Sequence, residues 1–157
     1  MRSAIYWIKG PWPGRLGVAA RPRGGDWLPQ ELAIWRREGI DTIVSLLTPE
    51  EELELLLEAE SAQARAQGMK FVSVPVRDRQ VPDSESAIEA VVRELEAALS
   101  ARKNVLVHCR QGIGRSGLLA ACLLISRGHD PEDALAQISA ARGATVPETS
   151  EQRRWIE

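Results

Sequence analysis

The chain has 157 residues, 44% of them hydrophobic and 27% charged, with a formal net charge of −2. That length suits one domain able to bury its own core, and the charge gives no global basic field for nucleic acid. No apolar run reaches spanning length, the stretch from Met1 to Ile8 is too short for a signal peptide, and two cysteines supply neither a disulfide framework nor a cysteine-rich zinc site.

The first thirty residues are rich in Trp, Pro, Gly and Arg and read as short strands and loops, with strands expected at Ile5–Ile8 and Leu16–Ala20. Core and edge packing is the expected use of Trp7, Trp12, Trp27 and Trp35. Pro29, Leu32, Ile34 and Trp35 suggest a short helix, closed by Gly39 in a left-handed cap. Thr42–Leu47 is a β-branched apolar run of strand length. Thr48 can cap the next helix, with Pro49 in its first turn and three glutamates at the positive end of its dipole. That helix is expected to run to about Gln67 and stop at Gly68. The run Glu50–Glu60 then reads as its wet face, with the leucines inward.

Phe71–Val76 reads as a second buried strand, and Pro75 argues for an edge position or an early end. Asp83 or Ser84 can cap an amphipathic helix whose apolar stripe is Ile88, Val91, Val92, Leu95 and Leu99. Val105–Val107 is a third buried strand. A glycine-rich loop follows, then an apolar helix from about Ser116 to Arg127 that takes Cys122 into the core. Asp130-Pro131 starts another helix, reaching about Ala141, past a turn at His129, and Glu148–Ile156 suggests a short final one. Strands alternating with helices predict an α/β fold: a single domain over residues 1–157, with a central, largely parallel sheet flanked by helices.

Chemistry concentrates in His108-Cys109-Arg110-Gln111-Gly112-Ile113-Gly114-Arg115-Ser116-Gly117. A buried strand delivers the cysteine, a loop turns, and an arginine opens a helix. Six consecutive backbone amides from Arg110 to Arg115 can turn inward as an anion cradle, and the helix adds its positive end. Gly112 and Gly114 permit the curvature and positive φ. A thiol at the base of such a cradle is expected to ionise readily and to attack phosphorus. Arg115 offers a planar fork to two phosphate oxygens, a grip that lysine lacks. Ser116 can donate to the sulfur or cap the helix. His108 either orients the loop and tunes Cys109 or packs beneath it. With His129 the only other histidine, neither a histidine metal cluster nor a Ser-His-Asp hydrolase has much to draw on.

These residues resemble the signature H-C-x-x-G-x-x-R-[S/T]-G of the protein tyrosine phosphatase superfamily, in the strand–loop–helix context that signature requires. Pro75 to Asp83 resembles the general-acid loop of the small dual-specificity group, and the resemblance puts Asp78 at the acid's position, with Asp83 as the rival carboxylate. Arg142-Gly143-Ala144 and Glu148 to Gln152 resemble a later stretch in which a glutamine lies near the site. The likeness covers about Gly39 to Gln152 and includes no phosphotyrosine-recognition loop.

The resemblance implies hydrolysis of a phosphomonoester, with Cys109 as nucleophile, Asp78 as acid and then base, Ser116 supporting the sulfur, and Gln152 placing water. Phosphate would sit in the loop formed by Arg110, Gln111, Gly112, Ile113, Gly114 and Arg115, without metal or organic cofactor. The expected partner is a phosphoprotein bearing phosphotyrosine, and also phosphoserine or phosphothreonine, in a cytoplasmic setting with no nucleic acid and no membrane segment. Rival readings are the same chemistry on a phosphoinositide or an RNA 5′-phosphate, a phosphate-binding module without turnover, and a sulfurtransferase. Arg77 and Arg79 beside Asp78, with Arg110 and Arg142, suggest a basic mouth to the site.

Overall fold

A computed structural model describes residues 4–77, 85–143 and 146. Its five-stranded sheet has the order β1-β2-β5-β3-β4, from β1 (Tyr6–Ile8), β2 (Leu16–Ala20), β3 (Thr42–Ser45), β4 (Lys70–Ser73) and β5 (Val105–Cys109). All neighbouring pairs are parallel except β1 with β2, so the sheet is largely parallel with an antiparallel edge. The helices are α1 (Leu28–Arg37), α2 (Pro49–Glu54), α3 (Glu60–Ala66), α4 (Glu85–Ser100), α5 (Gly114–Ser126) and α6 (Pro131–Arg142), and Gly25–Trp27 forms a 3-10 turn before α1.

Strand β5 lies in the middle, between β2 and β3, which explains its unbroken burial. Alternation along it splits the core in two. Val105, Val107 and Cys109 join the cluster containing Leu95, Leu99, Leu119 and Leu123, on the face covered by α4, α5 and α6. Leu106 joins Leu32, Trp35, Ile43 and Phe71 on the face covered by α1 and α3. His108 shares that second face, its ring centroid 5.9 Å from that of Trp35.

Several helix boundaries follow local chemistry. Thr48 caps α2 in a reciprocal capping box, accepting from the Glu51 N–H while the Glu51 carboxylate accepts from the Thr48 N–H. Asp130 caps α6 by accepting from the N–H groups of Glu132 and Asp133, and Gly143 closes it at φ 76°. Gly39, at φ 97°, ends the turn after α1 as its sequence position suggests.

Other boundaries differ from expectation. The single helix expected from Thr48 to Gln67 is two helices, broken over residues 55–59. Leu56 sits there at φ 59°, a conformation that costs a branched residue steric strain. Tertiary docking holds the break: Gly25 N–H donates to the Leu56 carbonyl at 2.9 Å. A Cβ on Gly24 would come within 2.1 Å of the Leu55 carbonyl oxygen, so the loop can approach only a glycine there. Strand β4 stops at Ser73, although Val74 and Val76 N–H still reach the carbonyls of Ser45 and Leu46. The strand end expected at Val76 is cut short by Pro75, which has no N–H for the ladder. Helix α5 starts at Gly114, two residues before the expected Ser116. The helix expected at Glu148–Ile156 and the proposed caps Asp83 and Ser84 lie outside the described residues.

Trp12 and Trp35 are buried, and Trp7 is half-buried under the Arg15 guanidinium. Trp27 departs from the packing expectation: it is exposed, with Arg23 stacked over its ring. Among the described residues, no helix is long and apolar enough to cross a membrane.

Candidate active site

Strand β5 ends at Cys109 and helix α5 begins at Gly114, so the loop between them lies beyond the carboxyl ends of the parallel strands, at the centre of the sheet. Cys109 is buried, and its sulfur has two polar neighbours at 3.3 Å, the Gly112 N–H and the Ser116 hydroxyl. A backbone amide aimed at the sulfur is the arrangement expected of an anion cradle. Gly112 can turn its amide that way because it adopts φ 74°. A Cβ at Gly112 would also meet the Ala19 carbonyl carbon at 2.6 Å, so strand β2 packs directly against the loop. Gly114 has no positive φ; it serves instead as the first residue of α5.

Arg115 is almost wholly buried. Its Nη1 and Nη2 donate to Glu51 Oε1 and Oε2 at 2.6 Å and 2.9 Å, a two-point ion pair. Nη1 also donates to the carbonyls of Val76 (2.8 Å) and Leu46 (3.3 Å). Burial pushes the Glu51 carboxyl up, but the Arg115 bond and charge, with the Thr48 N–H and hydroxyl, outweigh it and hold the carboxyl below its ordinary range. The capping box thus does two things: it starts α2, and it aims Glu51 at Arg115.

The outside of the loop is held as well. Arg142 Nε and Nη2 donate to the carbonyls of Gly112 and Gln111, each at 3.0 Å, while its guanidinium lies 4.2 Å over the Tyr6 ring. Carbonyls drawn outward leave the amides of the same segment facing in. Arg110 donates to Glu54 at 2.9 Å and lies 3.5 Å from Glu51. The hydrogen bond to Glu54 is the main reason that the Arg110 guanidinium is held above its usual range. Both arginines are therefore engaged by protein groups, so the basic mouth is less cationic than their number suggests. Gln111 is exposed and Ile113 half-buried beside them.

Beneath the sheet, His108 Nε2 meets Glu60 Oε2 at 2.6 Å, both residues at 0% exposure. Together with Glu51, this corrects in part the reading of Glu50–Glu60 as a solvated helix face with its leucines inward: Glu50, Glu54 and Glu58 are exposed and Leu57 is buried as expected. Glu51 and Glu60 are inside, whereas Leu53 and Leu56 are 63% and 61% exposed. The physical reason is pairing: each buried carboxylate meets a cationic or N–H-bearing side chain of the cysteine loop or of the strand leading into it. For Glu51 the Thr48-x-x-Glu51 capping-box pattern is a signal in the sequence; for Glu60 there is none.

Asp78, its rival Asp83, Arg79 and Gln152 lie outside the described residues. Val76, two positions before Asp78 in the sequence, accepts a bond from Arg115 through its carbonyl. Cys122 is half-buried against the α5 face of the core, and burial pushes its thiol up to about 12. Among the described residues, no three His, Cys, Asp or Glu side chains gather to hold a metal ion.

The chain matches the family "Polymorphic toxin system, DSP-PTPase phosphatase" over residues 18–129, a stretch running from β2 through the cysteine loop and α5. Cyclin-dependent kinase inhibitor 3 of Sus scrofa is 36% identical over 84 residues, covering 52% of this chain and 39% of that protein. Dual specificity protein phosphatase TpbA of Pseudomonas aeruginosa is 31% identical over 110 residues, covering 69% of this chain and 45% of that protein. The chain thus spans less than half the length of these curated relatives. Among solved structures, a kinase associated phosphatase (KAP) with its catalytic-site cysteine replaced by serine matches with a TM-score of 0.90. The match covers 100% of this chain and 93% of that one at 22% identity, a likeness of fold.

Proposed function

The chain belongs to the DSP-PTPase phosphatase family of polymorphic toxin systems, and we propose that it is a cysteine-dependent phosphomonoester hydrolase. Its substrates would be proteins carrying phosphotyrosine, and also phosphoserine or phosphothreonine. The observation that carries this reading is the pair of 3.3 Å contacts on Cys109 Sγ, from the Gly112 N–H and the Ser116 hydroxyl. The amide donates to the sulfur and the hydroxyl can do so too, which together would stabilise an ionised sulfur, the form that acts as nucleophile.

In the proposed first step, the Cys109 thiolate attacks phosphorus in line. The bond to the ester oxygen breaks as Asp78 gives that oxygen a proton, leaving a phosphocysteine. In the second step, Asp78 takes a proton from water placed by Gln152, the new oxygen bonds phosphorus, and the sulfur leaves as thiolate with Ser116 donating to it. Arg115, aimed by its two bonds to Glu51, would offer its planar guanidinium to two phosphate oxygens. The inward amides of Arg110 to Arg115 bind the remaining oxygens, and His108 supports the loop from the preceding strand. The position of Val76 on Arg115 supports the role of Asp78, because it brings the chain to the site two residues before that carboxylate. Neither step calls for a metal or organic cofactor, and a nucleophilic thiol suits a reducing, cytoplasmic setting.

The test is hydrolysis of a panel of aryl and alkyl phosphates by the wild type and three variants. Cys109→Ser should release no phosphate yet still bind tungstate. Asp78→Asn should slow esters with poor leaving groups far more than activated aryl phosphates, and Asp83→Asn should not. Turnover that persists in Cys109→Ser rules out the covalent route.

A further inference from the structure

The buried contact between Glu60 and His108 has no part in the steps above. Glu60 opens α3 on the face of the sheet opposite Cys109, and neither it nor His108 has any exposure to water. At 2.6 Å two lone pairs cannot face one another, so a proton lies between Nε2 and Oε2. His108 Nδ1 and Glu60 Oε1 have no hydrogen-bond partner among the described residues.

The second ring nitrogen sets the charge of the pair. With Nδ1 bare, the pair would hold a net negative charge in a place closed to water, which is costly. With Nδ1 protonated, it is neutral overall. The surroundings favour the second state. In register on either side of His108 stand Ala19 of β2 and Ser45 of β3, and α1 presents the Trp35 ring, none of them charged. Glu31 of α1 is buried but bonded to Arg23. Among the described residues, the charge of Glu52 on α2 also acts on Glu60 and His108, and Glu58 of the α2–α3 connection acts on Glu52. Burial pushes the Glu52 carboxyl up and Glu60 adds to this, so the two glutamates act on each other. An acidic neighbourhood draws a proton onto the ring between them.

We propose that Glu60 is a positioning residue of the cysteine site, holding His108 as a doubly protonated ring in the strand directly before Cys109, where its positive charge favours ionised sulfur. The proposal rests on Cys109 being the nucleophile. The ring and the sulfur belong to consecutive residues, whose Cα atoms lie about 3.8 Å apart. The negative end of the pair lies farther off, on α3. The sulfur therefore meets the positive end first, and the short polar contact on the far face becomes part of the site's electrostatics.

Nitrogen NMR of protein labelled at histidine tests this without any phosphate ester, so a chain inactive on phosphates still gives an answer. Only two histidines contribute signals, and His129→Gln assigns them. At pH 7 both His108 nitrogens should appear protonated; one bare nitrogen overturns the proposal. In parallel, the rate of Cys109 alkylation by iodoacetamide is read by peptide mass. Glu60→Gln should slow it about tenfold at pH 6, with the gap closing at alkaline pH. Equal rates at pH 6 also overturn it. If Glu60→Gln does not fold, the wild-type nitrogen signals decide alone.

Discussion

Glu51 lies across the Arg115 guanidinium with both carboxylate oxygens, at 2.6 Å and 2.9 Å, in a site shared with the Leu46 and Val76 carbonyls. Removing one partner of a buried ion pair leaves the other uncompensated, typically at about 3–5 kcal/mol. Glu51→Gln should cost about 3 kcal/mol, the lower end, because the two carbonyls remain. The effect depends on pH with a definite sign. The folded-state carboxyl of Glu51 is held below its ordinary value, so its contribution is present at neutral pH and is lost as pH falls through the folded value. Urea unfolding of both proteins at pH 7 and in stepwise acid should show the difference shrinking below about pH 4. A difference constant with pH would mean that Glu51 acts by shape and not by charge.

The contact between Gly112 and strand β2 makes a sharper demand. Alanine at this position must adopt φ 74° and place a methyl group 2.6 Å from the Ala19 carbonyl carbon and 2.7 Å from the Ala20 nitrogen. Backbone cannot yield as a flexible side-chain tip can, so the loop must move. Gly112→Ala should lower tungstate affinity by tenfold or more, seen by calorimetry, while the far-ultraviolet circular dichroism stays that of the wild type. Unchanged tungstate affinity would show that the Gly112 amide does not take part in anion binding.

Arg142 should matter through the loop, although it comes from α6. Its two bonds to the Gln111 and Gly112 carbonyls are charge-assisted, each contributing about 1.5–3 kcal/mol in typical cases. Lysine keeps the charge but loses the fork. Arg142→Lys should weaken tungstate binding by about tenfold and lower Tm by only a few degrees, since the guanidinium is partly exposed. A large fall in Tm with intact binding would make Arg142 a strut for α6 over Tyr6, with no part in shaping the cradle.

The parts of the molecule that were legible in the sequence are those whose partners lie close along the chain. His108 to Gly117 could be read because the strand, the cysteine, the turn glycine and the helix start are consecutive. The caps at Thr48 and Asp130 depend on residues two or three positions away. The buried glutamates were not legible in this way. Glu51 and Glu60 find their partners 64 and 48 residues further on, and helical periodicity cannot distinguish a solvated glutamate from one with a distant arginine or histidine. The break after α2 escaped for a similar reason. Residues 55–59 contain neither glycine nor proline, and what holds them out of the helix is docking on Gly24 and Gly25.

The covalent intermediate offers the most direct test of the site's chemistry. Protein turning over a phosphopeptide labelled with radioactive phosphorus is quenched at neutral pH within milliseconds and digested. The label should be found on Cys109 alone, in an amount that rises to a steady level during turnover and vanishes when substrate is exhausted. Phosphate release with no label on Cys109, or with label on another residue, would contradict the account.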